Sequence, residues 1–391
     1  MKASTFVYPW DVNGDPAAAE RIAELGVRQV TLASAYHSTR ALTPRHPRHR
    51  VVTAEYAAVL YPPGDRWRGR TLRPYPAGEW APGDAFGEAA GALEAAGLEV
   101  HSWVVLAHSS RLGAEHPSTS VVNAYGDRYP WAPCIAQAQT RAYLVDLAAE
   151  AAVRPGARGT ELESLGWYGF QHLHAHDKTG GVALGDAGQY LMALCFCPTC
   201  RDGYADAGLD PDDLAASVRD ALEPLWRGEP VDEGWPAVEK LLGAERAAGT
   251  RLWRDTVARS LQEDAVTAVR AAAPEGFQVL LHADPVTYHC GANAGVDPAH
   301  ILGVADGVVV PCAGGPGLLP AFAEAGAEGA VLAANLGVVS GMGGSPGTLG
   351  ADARRAAELG ATEIRLYHAG LASDQDLTAV REGLTAVPGA Q

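Results

Sequence analysis

Three cysteines fall within six residues, Cys195-Phe196-Cys197-Pro198-Thr199-Cys200, as a C-x-C-x-x-C knuckle. That spacing lets three thiolates converge on one ion, and a tetrahedral zinc then needs one more ligand. Cys134, in Trp131-Ala132-Pro133-Cys134 just before a helical segment, is the candidate. Four protein ligands leave no open coordination position, so a zinc held this way is structural and not catalytic. The alternative is a set of ordinary buried thiols. Cys290 and Cys312 stand apart, near the ends of later strand-like runs, and read as isolated thiols. Six cysteines in 391 residues do not describe a disulfide scaffold.

Carboxylates form the second group. In Glu161-Leu162-Glu163-Ser164 the two glutamates share one face of a strand, because side chains alternate, and Glu163 is the nearer to the strand's end. In Leu281-His282-Ala283-Asp284-Pro285, His282 and Asp284 share a face in the same way, while Asp284 before Pro285 also reads as the start of a turn. Asp11 is a weaker third. The run Gln171-His172-Leu173-His174-Ala175-His176-Asp177 alternates its histidines; extended, it would offer a metal site with Asp177, or line a pocket and bond hydroxyls, or sit in solvent. Tyr8, Trp10, Tyr36, His37, Trp103, His108, Trp167, Tyr168, Tyr367 and His368 all fall at or near strand ends. Aromatic faces cover the apolar face of a pyranose while polar tips bond its hydroxyls. About half of them are expected to reach a pocket and the rest to fill the core.

The elements that must position these residues are short apolar runs separated by helix-like Ala/Leu/Glu/Arg segments. The runs are Thr5–Trp10, Val27–Tyr36, Leu98–Ala107, Glu161–Gly166, Phe277–His282, Val308–Val310, Ala330–Ala334 and Glu363–Tyr367. A helix from about Pro16 to Leu25, with Asp15 as N-cap and Gly26 as its stop, follows the first. Strand and helix in alternation predict βαβ units and a parallel sheet, and eight of them close a (β/α)8 TIM barrel of class α/β. A doubly wound fold would want a G-x-G-x-x-G turn after the first strand, where the chain reads Trp10-Asp11-Val12-Asn13-Gly14-Asp15. Two connections are long: about 37–90, after the second strand, and about 169–275, after the fourth, which holds the cysteine cluster and a helical subdomain. Residues 1–391 are read as one barrel domain with these insertions.

The order of the cysteines resembles that of the zinc-containing barrel β-galactosidases of glycoside hydrolase family 42, with one cysteine in the third βα loop and a C-x-C-x-x-C after the fourth strand. Thr140-Arg141-Ala142-Tyr143-Leu144 after Cys134 is similar to the family's segment at that place. The likeness covers about the first half of the chain. It implies a glycoside hydrolase with its acid/base at the end of the fourth strand, hence Glu163. Two departures stand out: Leu162 replaces the family's Asn before that acid, and the end of the seventh strand, Ala333-Ala334-Asn335-Leu336-Gly337, lacks the family's nucleophilic carboxylate. Two carboxyl groups flank the bond in most such reactions, so Asp284 is the partner named for Glu163. Trp10, Tyr36, His37, Trp103, His108, Trp167, His174, His282, Asn335, Tyr367 and His368 would hold the sugar. The implied partner is a small glycoside or oligosaccharide, and a homo-oligomer fits this class of barrel. A metal-dependent sugar isomerase or aldolase, and a sugar-binding barrel without catalysis, are the rival readings.

A net charge of -16 argues against nucleic acid and anionic membranes, which need a basic face. Nearly all the positive charge is Arg, with Lys only at Lys2, Lys178 and Lys240. The arginines at 45, 48, 50, 66, 68, 70 and 73 read as a solvated loop or a clamp for an anionic substrate group. The chain opens on a strand-like run with no apolar signal segment, and a cytoplasmic protein is expected.

Overall fold

The computed structural model describes residues 1–170, 177–326 and 329–387. Eight parallel strands close on themselves: β1 (Lys2–Val7), β2 (Gln29–Tyr36), β3 (Glu99–Val105), β4 (Ala157–Glu163), β5 (Gln278–Asp284), β6 (Gly307–Pro311), β7 (Val331–Gly337) and β8 (Glu363–Tyr367). Each pairs with its sequence neighbour, and β1 pairs with β8 to shut the barrel. The fold is thus the expected (β/α)8 barrel, with every strand found. Most boundaries move by a few residues. The first strand stops at Val7, because Pro9 starts a single helical turn, Pro9–Val12.

Helices cover the outside in chain order: α1 (Ala18–Ala23), α2 (Ala85–Ala95), α3 (Ala138–Ala152), α4 (Gly185–Ala193), α5 (Pro198–Asp206), α6 (Pro211–Trp226), α7 (Trp235–Leu242), α8 (Ala244–Ala272), α9 (Pro298–Val304), α10 (Leu319–Glu324), α11 (Leu349–Glu358) and α12 (Asp374–Thr385). Several start on side-chain caps that satisfy orphan amides, among them Asp84, Asp210, Asp297 and Ser373. Asp15 is not such a cap: α1 starts three residues later with Ala17 at its N-cap, and Asp15 instead accepts from the Ala17 amide and pairs with Arg21. None of the described helices is long and apolar enough to cross a membrane.

The long connection after β2 carries a hairpin, Thr39–Leu42 against Val51–Ala54, and a short strand, Ala58–Val59, that pairs antiparallel with β2. Its arginines knit it to the barrel. Arg45 donates to the carbonyls of Ala369 and Ala372 in the loop after β8, and Arg66 and Arg70 both pair with Asp146 of α3. Helices α4 to α7 fill the connection after β4, and α8 returns against α3, where Arg141 meets Asp264 at 2.6 Å.

Inside the barrel, apolar and polar layers alternate. Leu280, Val309, Val331 and Ala333 form one apolar patch. Beside it Ser4, Thr31, Glu161 and Arg365 are fully buried and joined to one another: Ser4 Oγ is 3.2 Å from Thr31 Oγ1, Thr31 donates to Glu161 Oε1 at 3.1 Å, and Arg365 Nε donates to the same oxygen at 2.5 Å. A second carboxylate, Glu363, accepts from Arg365 Nη1 at 2.8 Å. Burying a guanidinium is costly unless its charge is paired, and two glutamates pair with it here, Glu161 through Nε and Glu363 through Nη1.

Candidate active site

Above this polar layer the C-terminal ends of the strands open into a cavity of about 870 Å³. Enzymes built on this fold place their chemistry at that end. Glu163, at the last position of β4, lines it and is 8% exposed. Trp103, from β3, donates its indole N–H to Glu163 Oε2 at 2.7 Å. The indole is itself fixed, packed edge-on against Phe6 at 4.7 Å and Tyr36 at 4.6 Å. Immediately after Glu163 the chain turns sharply: Ser164 has φ of 58° in the left-handed region, and its amide bonds the carbonyl of Ala292. Such a conformation is uncommon for a residue with a side chain, and it holds the Glu163 end of β4 against the loop after β5.

Tyr36, Tyr168 and Tyr367 stand around Glu163 in the same lining. Burial pushes all three phenols up, and the nearby Glu163 carboxyl adds to the rise, so they remain neutral hydrogen-bonding groups. Tyr36 faces inward because of an irregularity. The β2–β3 register shifts between Ala33 and Ala35, and this bulge reverses the alternation, so that Ala33 and Tyr36 both join the inner aromatic cluster. Its hydroxyl accepts from Tyr8 at 2.9 Å.

Of the sequence-derived sugar contacts, Tyr36, His37, Trp103, His282, Asn335 and Tyr367 line the cavity. Four others do not. Trp10 is buried in the turn after β1, stacked on Tyr8 at 4.6 Å, which stands between it and the barrel centre. Trp167 lies behind β4, its indole donating to the Arg254 carbonyl at 3.0 Å under that residue's guanidinium. His368 is wholly buried, and burial together with Arg45 lowers it to about 3, leaving a neutral ring whose Nδ1 accepts from the Gly370 amide. His108 stacks on Tyr168 and shares with His37 a separate cavity of about 420 Å³. His174, with the histidine run and its metal reading, lies outside the described residues.

Asp284, named as the partner carboxylate of Glu163, is not among the residues that line this cavity. One oxygen accepts from the Val286 amide at 2.8 Å and the other lies 3.0 Å from His289 Nδ1, so the carboxylate holds the turn after β5. It borders an adjoining cavity of about 230 Å³ instead. Of the two glutamates on β4, Glu161, the deeper, is the one that pairs with an arginine, Arg365. Glu161 is lowered to about 2: burial alone would raise it, but Arg365 and then His282 outweigh that.

Much of the cavity wall comes from a segment that carried no sequence signal for chemistry, the loop from 339 to 349 after β7. Its Gly341-Met342-Gly343-Gly344-Ser345-Pro346-Gly347 run is a turn signal that would have drawn attention to it. Gly344 packs so tightly on the end of β7 that an added Cβ would lie 2.7 Å from the Gly337 carbonyl carbon and the Val339 nitrogen. Asp352, in the first turn of α11, brings a second carboxylate to the rim, where it accepts from Thr348 Oγ1 at 2.6 Å.

Away from the cavity, Cys134, Cys195, Cys197 and Cys200 are buried with all four sulfurs within 4.8 Å of one another. Cys134 Sγ is 3.6 Å from both Cys197 and Cys200. Close contact with the other three sulfurs holds the Cys197 thiol well below its ordinary range. Four convergent sulfurs from two loops are a donor set that fits one tetrahedral ion.

No described protein family matches the chain by sequence, and no curated protein matches it either. Solved structures do. The catalytic domain of a β-amylase from Paenibacillus polymyxa superimposes with a TM-score of 0.58 at 13% identity, covering 99% of each chain. α-L-Fucosidase isoenzyme 2 from Paenibacillus thiaminolyticus gives 0.58 at 11%, over 98% of this chain and 49% of its own. A family 42 β-galactosidase of G. stearothermophilus gives 0.56 at 12%, over 99% of this chain and 56% of its own. The chain therefore spans about half the length of the latter two. At such identities the likeness is one of fold, and the fold is the barrel used by glycoside hydrolases.

Proposed function

We propose that this protein is a glycoside hydrolase whose mouth cavity takes a small glycoside or oligosaccharide, with Glu163 as the proton donor to the leaving oxygen. The observation that supports this reading is Glu163 itself, a buried carboxyl at the end of β4, held by the Trp103 indole in a cavity walled by tyrosines. Aromatic and hydroxyl groups in one lining suit a ligand with both C–H faces and hydroxyls. Asn335, whose Oδ1 is buried without a hydrogen-bond partner among the described residues, supplies an acceptor for a sugar hydroxyl. The cysteine cluster, on this reading, holds a structural zinc that pins the loops after β3 and β4 together.

One observation favours a second reading, a sugar-binding barrel without turnover: near its end β7 carries Asn335, and no carboxylate, where a retaining enzyme of the family 42 type would carry one. Product detection by NMR on a panel of glycosides separates the two. Cleavage by the wild type, abolished in a folded Glu163→Gln variant, is the expected result. Binding of sugars with no cleavage by either would sink the hydrolase assignment. For the metal, one zinc per chain is expected by elemental analysis of the purified protein, lost in Cys197→Ser; a metal-free wild type would overturn that part.

A further inference from the structure

The cavity needs a second group to act with Glu163, and neither Asp284 nor the end of β7 provides it. His282, near the end of β5, lines the cavity, and its Nε2 lies 3.5 Å from Glu161 Oε2. Both atoms are buried, and neither has another partner among the described residues. The other oxygen of Glu161 is already taken by Arg365 Nε and Thr31 Oγ1. A carboxylate oxygen only accepts, so the ring nitrogen that faces Oε2 is the one that carries the proton. Nδ1 is then the bare nitrogen, and it makes no hydrogen bond to the described residues. The Phe6 ring, 5.7 Å away, flanks the imidazole.

We propose that His282, oriented by Glu161, is the general base of this site. The proposal rests on the reading of Glu163 as proton donor. Water in the cavity gives a proton to His282 Nδ1 as its oxygen forms the bond to the anomeric carbon. The bond from that carbon to the leaving oxygen breaks as Glu163 hands its proton to that oxygen. One water is consumed, two hydroxyl products form, and the anomeric configuration inverts. Glu161 performs for the imidazolium what the buried carboxylate of a hydrolytic triad does: it fixes the tautomer and stabilises the charge that appears. It can do so because the Arg365 guanidinium keeps it ionised. The spacing is slightly longer than a hydrogen bond, as expected before substrate closes the site.

The test has an arm that needs no substrate. Nitrogen-15 NMR of the histidine side chains in the intact protein, assigned by the signal lost in His282→Asn, should show an Nε2–H ring with bare Nδ1. An Nδ1–H tautomer overturns the proposal whatever the protein cleaves. On a glycoside that the wild type hydrolyses, folded His282→Asn should lose about 100-fold or more in kcat with KM little changed, and added imidazole should restore part of it. The first-formed sugar should have the inverted configuration. An unchanged kcat, or a retained anomer, removes His282 as base and leaves Glu163 standing. Absence of wild-type hydrolysis overturns the Glu163 reading, and the base falls with it.

Discussion

Glu161 and Glu163 lie two residues apart on the same face of β4, yet they belong to different regions. Glu161 is at the barrel's polar layer, wholly buried, with Arg365 and Thr31 on one oxygen and His282 near the other. Glu163 is at the mouth, with one indole N–H for a partner and the rest of its surroundings a cavity. The first is enclosed by protein on every side, so what it contributes is position and charge for its neighbours. The second keeps hydrogen-bonding capacity in reserve, which is what a group that meets a substrate must have. About 6 to 7 Å along a strand separates the two situations.

The sharpest way to break this comparison is to exchange the roles by truncation. Glu161→Ala should destabilise the fold by about 3–5 kcal/mol, because it leaves a buried guanidinium short of a partner; denaturant melts check this. An unaltered melt would mean that Glu363 alone satisfies Arg365. Glu163→Gln should do the reverse. Its stability should stay within about 1 kcal/mol of wild type while turnover falls by about 10²–10⁴-fold, measured on whichever glycoside the panel identifies.

Acid sharpens the contrast further. The folded Glu161 holds off its proton until about pH 2, whereas the ordinary value is 4.5. Its contribution is therefore complete above about pH 4.5 and is lost as the pH falls toward 2, because the unfolded chain takes the proton first. Glu99, lowered to about 2 by His101 and Lys2 against the effect of burial, acts in the same sense. Melting temperature should accordingly fall across that window in wild type, and less steeply in any Glu161 variant that still folds. The smallest expected effect is Trp103→Phe. It removes one hydrogen bond to the Glu163 carboxyl while keeping most of the ring packing, for about 1.5–3 kcal/mol. The loss should appear in kcat more than in stability; equal kcat would show that Trp103 merely fills space.

The alternation of glutamates was legible in the sequence, since a period of two requires only that the segment be a strand. Which of the two meets an arginine was not, because Arg365 comes from β8, 204 residues further along the chain. Tyr36 makes the same point. Strict alternation would pair it with Ser34, whose hydroxyl bonds helix α3 at the Ala151 carbonyl on the outside of the barrel. The bulge between Ala33 and Ala35 turns Tyr36 inward, and bulges are set by the neighbouring strand. For Asp284 the sequence offered both a partner carboxylate and a turn, and the contacts formed are those of the turn, the Val286 amide and His289.

What the sequence determined by itself is what depends on nearest neighbours along the chain. Eight apolar runs separated by helical segments prescribe a closed parallel barrel, and three cysteines in six residues prescribe a converging knuckle. Tertiary structure decided the rest: the fourth sulfur's approach, the tie between Arg365 and Glu161, the aromatics that reach the cavity and those that pack behind it. Each of these depends on a contact between distant segments, whose energy exists only once the barrel has closed and excluded water from its interior.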